Sequence, residues 1–213
     1  FLDECLKTTI YRVNKDAFSK KVKIGNVTYT VATGGLHSQD NPVELWSSGR
    51  ELFPSSTGGQ YDVLNDDDYV YIHADINSMY PSIIAAHKVA PAHLDTNAFC
   101  NLIGWLKNKR VEVKHSDEDT VDGIDRDTLA LVLKIVINSV YGKLGFENGN
   151  LYDRLAVLKT TINGQLMMLM LVEELELHNI HVLSANTDGI VIKLYKRDID
   201  VYNCIKDTWD NIF

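Results

Sequence analysis

The chain has 213 residues, 45 % of them hydrophobic, and a formal net charge of −8 at neutral pH. This composition predicts a globular protein with a sizeable core, and its three widely spaced cysteines argue against a disulfide framework or a zinc site. The acidic balance argues weakly against a nucleic-acid-binding protein, but four of the eight residues in KNKRVEVK, at 107–114, are basic.

The chain begins with FLDECLKTT, which has neither an initiator Met nor the pattern of a signal peptide. This start suggests a fragment of a longer protein. We expect no apolar segment near the length of about 20 residues that a membrane helix needs, and therefore no membrane partner. The cysteine usage predicts a reducing compartment, which is the cytoplasm in the simplest case.

Residues 1–60 contain short strand-like runs such as NVTYTVA, interrupted by GG at 34–35, NP at 41–42 and PSSTGG at 54–59. We predict strands and loops in this region. The next segment, DYVYIHADI, is typical of a strand through residue 76. A turn and a helix that starts at Pro81 are expected to follow it.

The middle of the chain predicts a hairpin of two helices. Helical periodicity covers 97–114 and DTLALVLKIVINSVYGKLG, and the acidic segment HSDEDTVDGID separates the two. Residues 153–177 predict one long helix, whose Met167, Met168 and Met170 we expect in the core. The runs HVLSA and GIVIKLY then predict a β-hairpin that turns at NTDG.

Two acidic residues stand at the ends of predicted strands, Asp75 in DINSMYPSII and Asp188 in SANTDGIVI. Each residue alone is an ordinary turn or cap residue. Two carboxylates that converge from adjacent strands can instead hold Mg²⁺ when substrate phosphates supply further oxygens. The pair therefore suggests a site for phosphoryl transfer.

Two helices carry polar residues at helical spacing. Lys134, Asn138 and Tyr141 follow an i, i+4, i+7 pattern and share one helix face, and Arg110 and Lys114 are spaced i, i+4. Neither set requires a function. The first is explained by an amphipathic helix with a narrow polar stripe, and the second by charges exposed to solvent. The functional interpretation is that these residues bind a nucleotide, with its triphosphate at one end of the polar stripe and a base pair at the other.

The order DINSMYPSII, KIVINSVYGKLG, ANTDG resembles the three polymerase motifs of family B DNA polymerases, most closely those of bacteriophage replicases. The resemblance covers residues from about 61 to 195. It implies an α+β fold: a polymerase palm with an antiparallel sheet, interrupted by a helical-hairpin fingers subdomain. The implied divisions are 1–60 for N-terminal palm-connecting strands and loops, 61–92 for the first part of the palm, 93–144 for the fingers and 145–213 for the second part of the palm.

The resemblance also implies residue roles. Asp75 and Asp188 are the implied catalytic residues and the ligands of two Mg²⁺ ions, or Mn²⁺ as a substitute, together with the backbone carbonyl of Ile76. Tyr80 matches the steric gate under the deoxyribose. The other residues implied to bind the nucleotide are Ser78, Met79, Arg110, Lys114, Lys134 and Asn138. Tyr141 and Gly142 match positions beside the nascent base pair, and Gly34 and Gly35 match an element that contacts the template strand, although Thr33 rather than Tyr precedes them.

The third motif departs from the family pattern. Family members usually carry two Asp flanking a Thr, whereas this chain has Asn186 in the first position and Gly189 where Ser is common. Asn keeps an oxygen but loses a charge, so we expect an altered metal preference rather than a dead site.

The implied reaction is template-directed addition of deoxynucleotides to a primer 3′-hydroxyl, with release of pyrophosphate. The implied partners are primer–template DNA and deoxynucleoside triphosphates, in the host cytoplasm if the source is viral; the sequence identifies no protein partner. Three alternatives stay open. They are a degenerate polymerase-like module that binds nucleotide or DNA with little turnover, another two-metal enzyme such as a nuclease, and a purely structural α+β domain.

Overall fold

The structure is a computed structural model that describes residues 18–39 and 68–212. The chain divides into two compact units, which we call the sheet unit (Phe1–Asn77 with Ile162–Phe213) and the helical unit (Ser78–Thr161). The predicted combination of helices with an antiparallel sheet is confirmed. The predicted domain boundaries at 60, 92 and 144 stay predictions. The predictions that concern 1–17 and 40–67, including Cys5 and the loops at 41–42 and 54–59, lie outside the described residues.

The sheet unit contains a six-stranded sheet in the order β1-β2-β3-β7-β8-β4, in which every neighbouring pair is antiparallel. Its strands are β1 (Lys20–Ile24), β2 (Val27–Val31), β3 (His37–Gln39), β4 (Tyr69–Asp75), β7 (His181–Asn186) and β8 (Gly189–Tyr195). The predicted hairpin at NTDG is therefore confirmed, with Asn186 paired to Gly189 across the turn.

Alternation along the strands gives this sheet one apolar face and one polar face. The apolar face buries every second residue of the central strands: Val27, Tyr29 and Val31 of β2, and Ile190, Ile192 and Leu194 of β8. The polar face carries the residues between them. The core of the unit also includes Met168, Val172 and Leu175 from one helix and Tyr202, Ile205 and Trp209 from another.

The helices are α1 (Met79–Ala86), α2 (Thr96–Lys114), α3 (Arg126–Leu144), α4 (Arg154–Leu177) and α5 (Ile199–Ile212), with a short 3₁₀ helix at Lys196–Asp198. In the helical unit α2 packs against α3, which confirms the predicted helical hairpin. Between them lies an unpredicted pair of two-residue strands, β5 (Thr120–Val121) and β6 (Ile124–Asp125). Their turn uses positive φ angles at Asp122 and Gly123.

Aspartates begin three of these helices. Asp95, Asp125 and Asp153 each accept a hydrogen bond from the backbone N–H three residues later, at 2.7, 2.8 and 3.0 Å. The other carboxylate oxygen of Asp153 accepts from the N–H of Ala92 at 2.8 Å. Hydrogen bonds from Thr128 lower the pKa of Asp125, which keeps this cap ionised.

Two expectations concern α4. The expectation that no apolar segment approaches the length of a membrane helix is contradicted, and the expectation that three methionines lie in the core holds for two of them. By length and composition alone this helix could cross a membrane, but 61 % of its apolar window is buried within the protein, as in the core helix of a globular fold. Met167 and Met168 are buried as predicted, whereas Met170 is 50 % exposed. At 100° per residue, Met170 stands about 200° around the helix from Met168, on a side that the core does not cover.

Candidate active site

The two candidate acids lie at the same end of the sheet. Asp75 is the last residue of β4 and pairs with Gly189, the first residue of β8. Asp188 immediately precedes Gly189 in the turn from β7, and its carbonyl accepts a 2.8 Å hydrogen bond from the N–H of Ile76. Strand register therefore brings Asp75, Ile76 and Asp188 together, although Asp75 and Asp188 are 113 positions apart in the printed numbering.

The turn that carries Asp188 is hydrogen-bonded to the glycine loop between β2 and β3. The N–H of Thr187, a residue at φ 56°, donates to the carbonyl of Leu36 at 2.7 Å. A Cβ added to Gly35 would overlap the Thr187 hydroxyl, whereas the same addition to Gly34 meets no atom within 4 Å. Gly35 is therefore required for the close approach of the two loops, and Gly34 is the more accessible of the pair.

Gln165 of α4 holds the same glycine loop and was not identified from the sequence. Its side chain is 1 % exposed; it accepts from the N–H of Ala32 at 2.8 Å and donates to the carbonyls of Ala32 and Gly34 at 2.7 and 2.8 Å. The only sequence signal is a lone amide in the apolar run QLMMLMLV. Buried polar side chains of this kind require partners, which here are backbone groups of the loop.

Asn186 and Gly189, the two departures in the third motif, lie in one cross-strand row with Asp75. A Cβ on Gly189 would lie 3.1 Å from His73 Nε2 and 3.5 Å from Asp75 Oδ1. A side chain at 189 would therefore require the imidazole of His73, the end of a flexible side chain, to shift by a few tenths of an ångström.

Burial raises the pKa of Asp188, while its own backbone N–H and the nearby His73 act in the opposite direction. The available donors are oxygens: the carboxylates of Asp75 and Asp188 and the carbonyl of Ile76. Among residues 18–39 and 68–212, no group of three or more His, Cys, Asp or Glu side chains forms a complete metal cage. Two carboxylates without a cage suit a hard divalent cation that keeps waters and substrate oxygens as its other ligands.

In the helical unit, the structure joins two predicted nucleotide-binding residues. Ser78 precedes α1 in the left-handed region, at φ 55°, and its hydroxyl makes no capping bond to the helix. That hydroxyl accepts a 2.8 Å hydrogen bond from a guanidinium nitrogen of Arg110. One turn earlier on α2, Lys107 donates to Ser82 at 3.3 Å. The basic face of α2 is thereby tied to the start of α1.

A second pair of predicted residues is also in contact. The rings of Tyr80 and Tyr141 stack with centroids 4.2 Å apart and planes inclined by 29°. Burial raises the pKa of the Tyr141 hydroxyl, so this group stays protonated at neutral pH. The contact places the predicted sugar gate against a predicted base-pair residue.

The remaining predicted residues of this unit differ in exposure. Met79 is 4 % exposed, so only its backbone is accessible to a ligand. Lys114, Lys134, Asn138 and Gly142 are exposed. Among the apolar residues beside them on α3, Ile137 is 1 % exposed and Ile135 is 60 % exposed.

Comparison with known proteins agrees with the motifs. The model of DNA polymerase family B matches residues 98–202. The DNA polymerase of Thermococcus sp. (strain 9oN-7) is 30 % identical over 149 residues, which are 58 % of this chain and 19 % of that protein. The DNA polymerase alpha catalytic subunit of Arabidopsis thaliana is 28 % identical over 157 residues, 66 % of this chain and 10 % of that protein.

A solved structure, that of the family B DNA polymerase from the hyperthermophilic archaeon Pyrobaculum calidifontis, matches with a TM-score of 0.46 and 20 % identity, over 72 % of this chain and 24 % of that one. The chain spans 19 % or less of the length of the two curated relatives. Both of those relatives are DNA polymerases by name. The family match covers 105 of the 213 residues and includes the second and third of the three motifs, whereas the first motif, at 75–84, lies outside it. The match supports the resemblance to family B DNA polymerases over that part of the chain.

Proposed function

We propose that this chain is the palm and fingers part of a DNA polymerase, which adds deoxynucleotides to a primer 3′-hydroxyl on a DNA template and releases pyrophosphate. The main support is the position of Asp75 and Asp188 on adjacent strand ends, joined by the bond from Ile76 to the Asp188 carbonyl. In this proposal the palm comprises 61–92 and 145–213, and the fingers comprise 93–144.

The oxygen donors fit magnesium. Asp75, Asp188 and the carbonyl of Ile76 would hold two Mg²⁺ ions, with Mn²⁺ as a substitute. When bound, such ions activate the attacking hydroxyl and balance charge on the transferred phosphoryl group. Asn186 contributes a neutral amide in the same row, so the site has one negative charge fewer than the usual motif and an altered preference between the two metals.

The helical unit would bind the incoming nucleotide. Arg110 is held by the Ser78 hydroxyl, and we infer that a phosphate oxygen replaces that acceptor, because a charged acceptor binds a guanidinium more strongly. Lys114 and Lys134 supply further positive charge to the leaving diphosphate, and Asn138 supplies an amide donor. The backbone at Ser78 and Met79 completes the phosphate contacts.

The ring of Tyr80 would pack beneath the deoxyribose and exclude a 2′-hydroxyl, with Tyr141 and Gly142 beside the new base pair. Gly34 and Gly35 would lie near the template strand. The partners are primer–template DNA and deoxynucleoside triphosphates. A bacteriophage origin and a location in the host cytoplasm are part of the proposal. The origin rests on the residues of the three motifs, and the location rests on the cysteine usage.

Asn186 also favours a second candidate, a degenerate module that binds nucleotide or primer–template with little turnover. Loss of one carboxylate weakens cation binding at a site that has no cage of its own among the described residues. Turnover separates the two candidates, because only a polymerase extends a primer.

The test is single-nucleotide primer extension with the chain in excess, in Mg²⁺ or Mn²⁺, by wild type, Asp188→Asn and the exposed control Asp200→Asn. We expect extension by wild type and by the control, and a fall of about 10³-fold for Asp188→Asn because it loses transition-state charge stabilisation. Equal extension by wild type and Asp188→Asn would refute the assignment of Asp188. Binding of primer–template without extension by any variant would favour the degenerate module.

A further inference from the structure

The sheet carries a second cluster of functional groups on the face that bears Asp75. The strand pairings form a single cross-strand row through all six strands, made of Lys21, Thr30, His37, Asn186, Gly189 and Asp75. Residues directly opposite each other on antiparallel strands project from the same face. Lys21 at one edge and Asp75 at the other therefore share the polar face. Five strand spacings of about 4.8 Å separate them by roughly 24 Å.

The β1–β2 end of this row is locally basic. We call Lys20–Val31, which is β1, β2 and their turn, the basic hairpin. Lys21 and Lys23 of β1 are exposed and pair with Thr30 and Thr28, so two ammonium groups and two hydroxyls occupy one surface. Residues 18–39 contain three lysines, one histidine and no acidic residue, in a chain whose net charge is −8. The β1–β2 end of the sheet thus carries a local cluster of positive charge, with the carboxylate of Glu176 beside its turn at Gly25.

We propose that the basic hairpin binds backbone phosphates of the primer–template DNA, through Lys21 and Lys23, at a distance from the reacting end. The proposal rests on the proposed function, and its support is the polar face, which extends from the candidate catalytic residue Asp75 to these lysines. The separation of roughly 24 Å corresponds to about seven base pairs of B-form DNA. Lysines and hydroxyls suit a sequence-independent phosphate contact.

Lysines on an edge strand have another common role. β1 is an edge of the sheet, and charged edge residues prevent pairing with a strand of another molecule. This role requires lysine somewhere on the strand but does not depend on which face it occupies. DNA binding does depend on the face, which gives a matched control: Lys20 is exposed on the same strand but pairs with Val31, a residue of the apolar face.

The experiment measures the affinity of the full 213-residue chain for a fluorescent primer–template by anisotropy, from 50 to 200 mM salt, without nucleotide or divalent metal. We expect Lys21→Gln to bind about threefold more weakly and to reduce the slope of log affinity against log salt by about 0.9, and Lys21→Gln with Lys23→Gln to reduce that slope by about 2. Lys20→Gln should bind as wild type does. Thermal unfolding of each variant verifies that it folds.

The proposal is overturned if the double variant keeps the wild-type affinity and salt slope, if Lys20→Gln loses as much affinity as Lys21→Gln, or if wild type binds no DNA. Self-association of the double variant in light scattering with intact DNA binding would assign the lysines to edge protection instead. Because the assay involves no turnover, a lysine-dependent affinity in a chain that fails to extend primers supports the DNA surface and counts against the polymerase proposal alone.

Discussion

The sheet unit and the helical unit hold their candidate residues by different means. In the sheet unit, Asp75 and Asp188 are placed by backbone pairing and by the bond between Ile76 and Asp188. In the helical unit, by contrast, side chains make the contacts, such as Arg110 to Ser78 and Tyr80 to Tyr141. The difference indicates that substitutions at the acids change the chemistry without moving the backbone, whereas substitutions on the helices also release a neighbouring side chain.

We expect the largest effect from removing the hydrogen bonds by which Gln165 holds the glycine loop of the sheet unit. Gln165→Glu keeps the size of the side chain but replaces the amide group that donates to the Ala32 and Gly34 carbonyls. Two buried acceptors then face a carboxylate, and we expect the free energy of unfolding to fall by about 3 kcal/mol. Urea denaturation measures this loss. The exposed Glu173→Gln on the same helix is the control and should change stability by less than about 0.5 kcal/mol.

The stacked tyrosines allow the helical unit to be tested without affecting the sheet. Tyr80→Ala removes the ring that stacks on Tyr141. We expect discrimination against ribonucleotides to fall by roughly 30-fold, since steric rejection of a group as small as a methylene corresponds to about 1–3 kcal/mol. Competitive incorporation of ribonucleotide and deoxynucleotide measures the ratio. Tyr80→Phe retains the ring and should retain the discrimination. Unchanged discrimination in Tyr80→Ala would remove the gate assignment.

Lys134 tests whether nucleotide binding depends on the position of a charge on α3, as the candidate acids depend on strand register. Lys134→Ala should raise KM for the deoxynucleotide about tenfold, because one exposed phosphate contact is lost. Lys143 lies nine residues later on α3, about 180° around the helix, and Lys143→Ala is the matched control. Steady-state extension with varied nucleotide gives both values. An equal rise in the two variants would show that the charge acts at long range and not at a defined position.

The smallest expected effect concerns the stability cost of Asp188 in the metal-free chain. Burial raises the pKa of its carboxyl, so the folded chain holds this proton more tightly than the unfolded chain does. The free energy of unfolding contributed by this group therefore falls as pH rises from about 4, the unfolded value, through the folded pKa. Asp188→Asn should raise Tm at pH 7 by less than about 3 °C and leave it unchanged near pH 3.5. A lower Tm at pH 7 would contradict this sign.

Local patterns in the sequence predicted much of the fold. Strand-like composition located β4, which ends at Asp75, and alternation located the hairpin whose turn carries Asp188. Helical spacing placed Lys134, Asn138 and Tyr141 on one helix. The two-residue strands β5 and β6 are too short to produce a pattern, and they were missed. The exposure of Met170 was also missed, because an apolar helix gives little indication of which side faces the core.

The contacts that organise the candidate site are long-range, which limited their prediction. Gln165 meets Ala32 across 133 positions, and Arg110 meets Ser78 across 32. Neither pair follows from a spacing rule, because strand register and helix packing decide which distant residues meet. The role of Gly35 under the turn at Thr187 depends on the same register. Family resemblance indicated which residues to examine, but it did not predict these supports.

The close approach of His73 to Gly189 has an evolutionary consequence. A substituent at 189 meets the imidazole at 3.1 Å, so the effects of changes at the two positions are not additive. A serine at 189 is better tolerated after a smaller residue has replaced His73 than before. The two positions are therefore expected to vary together among related sequences.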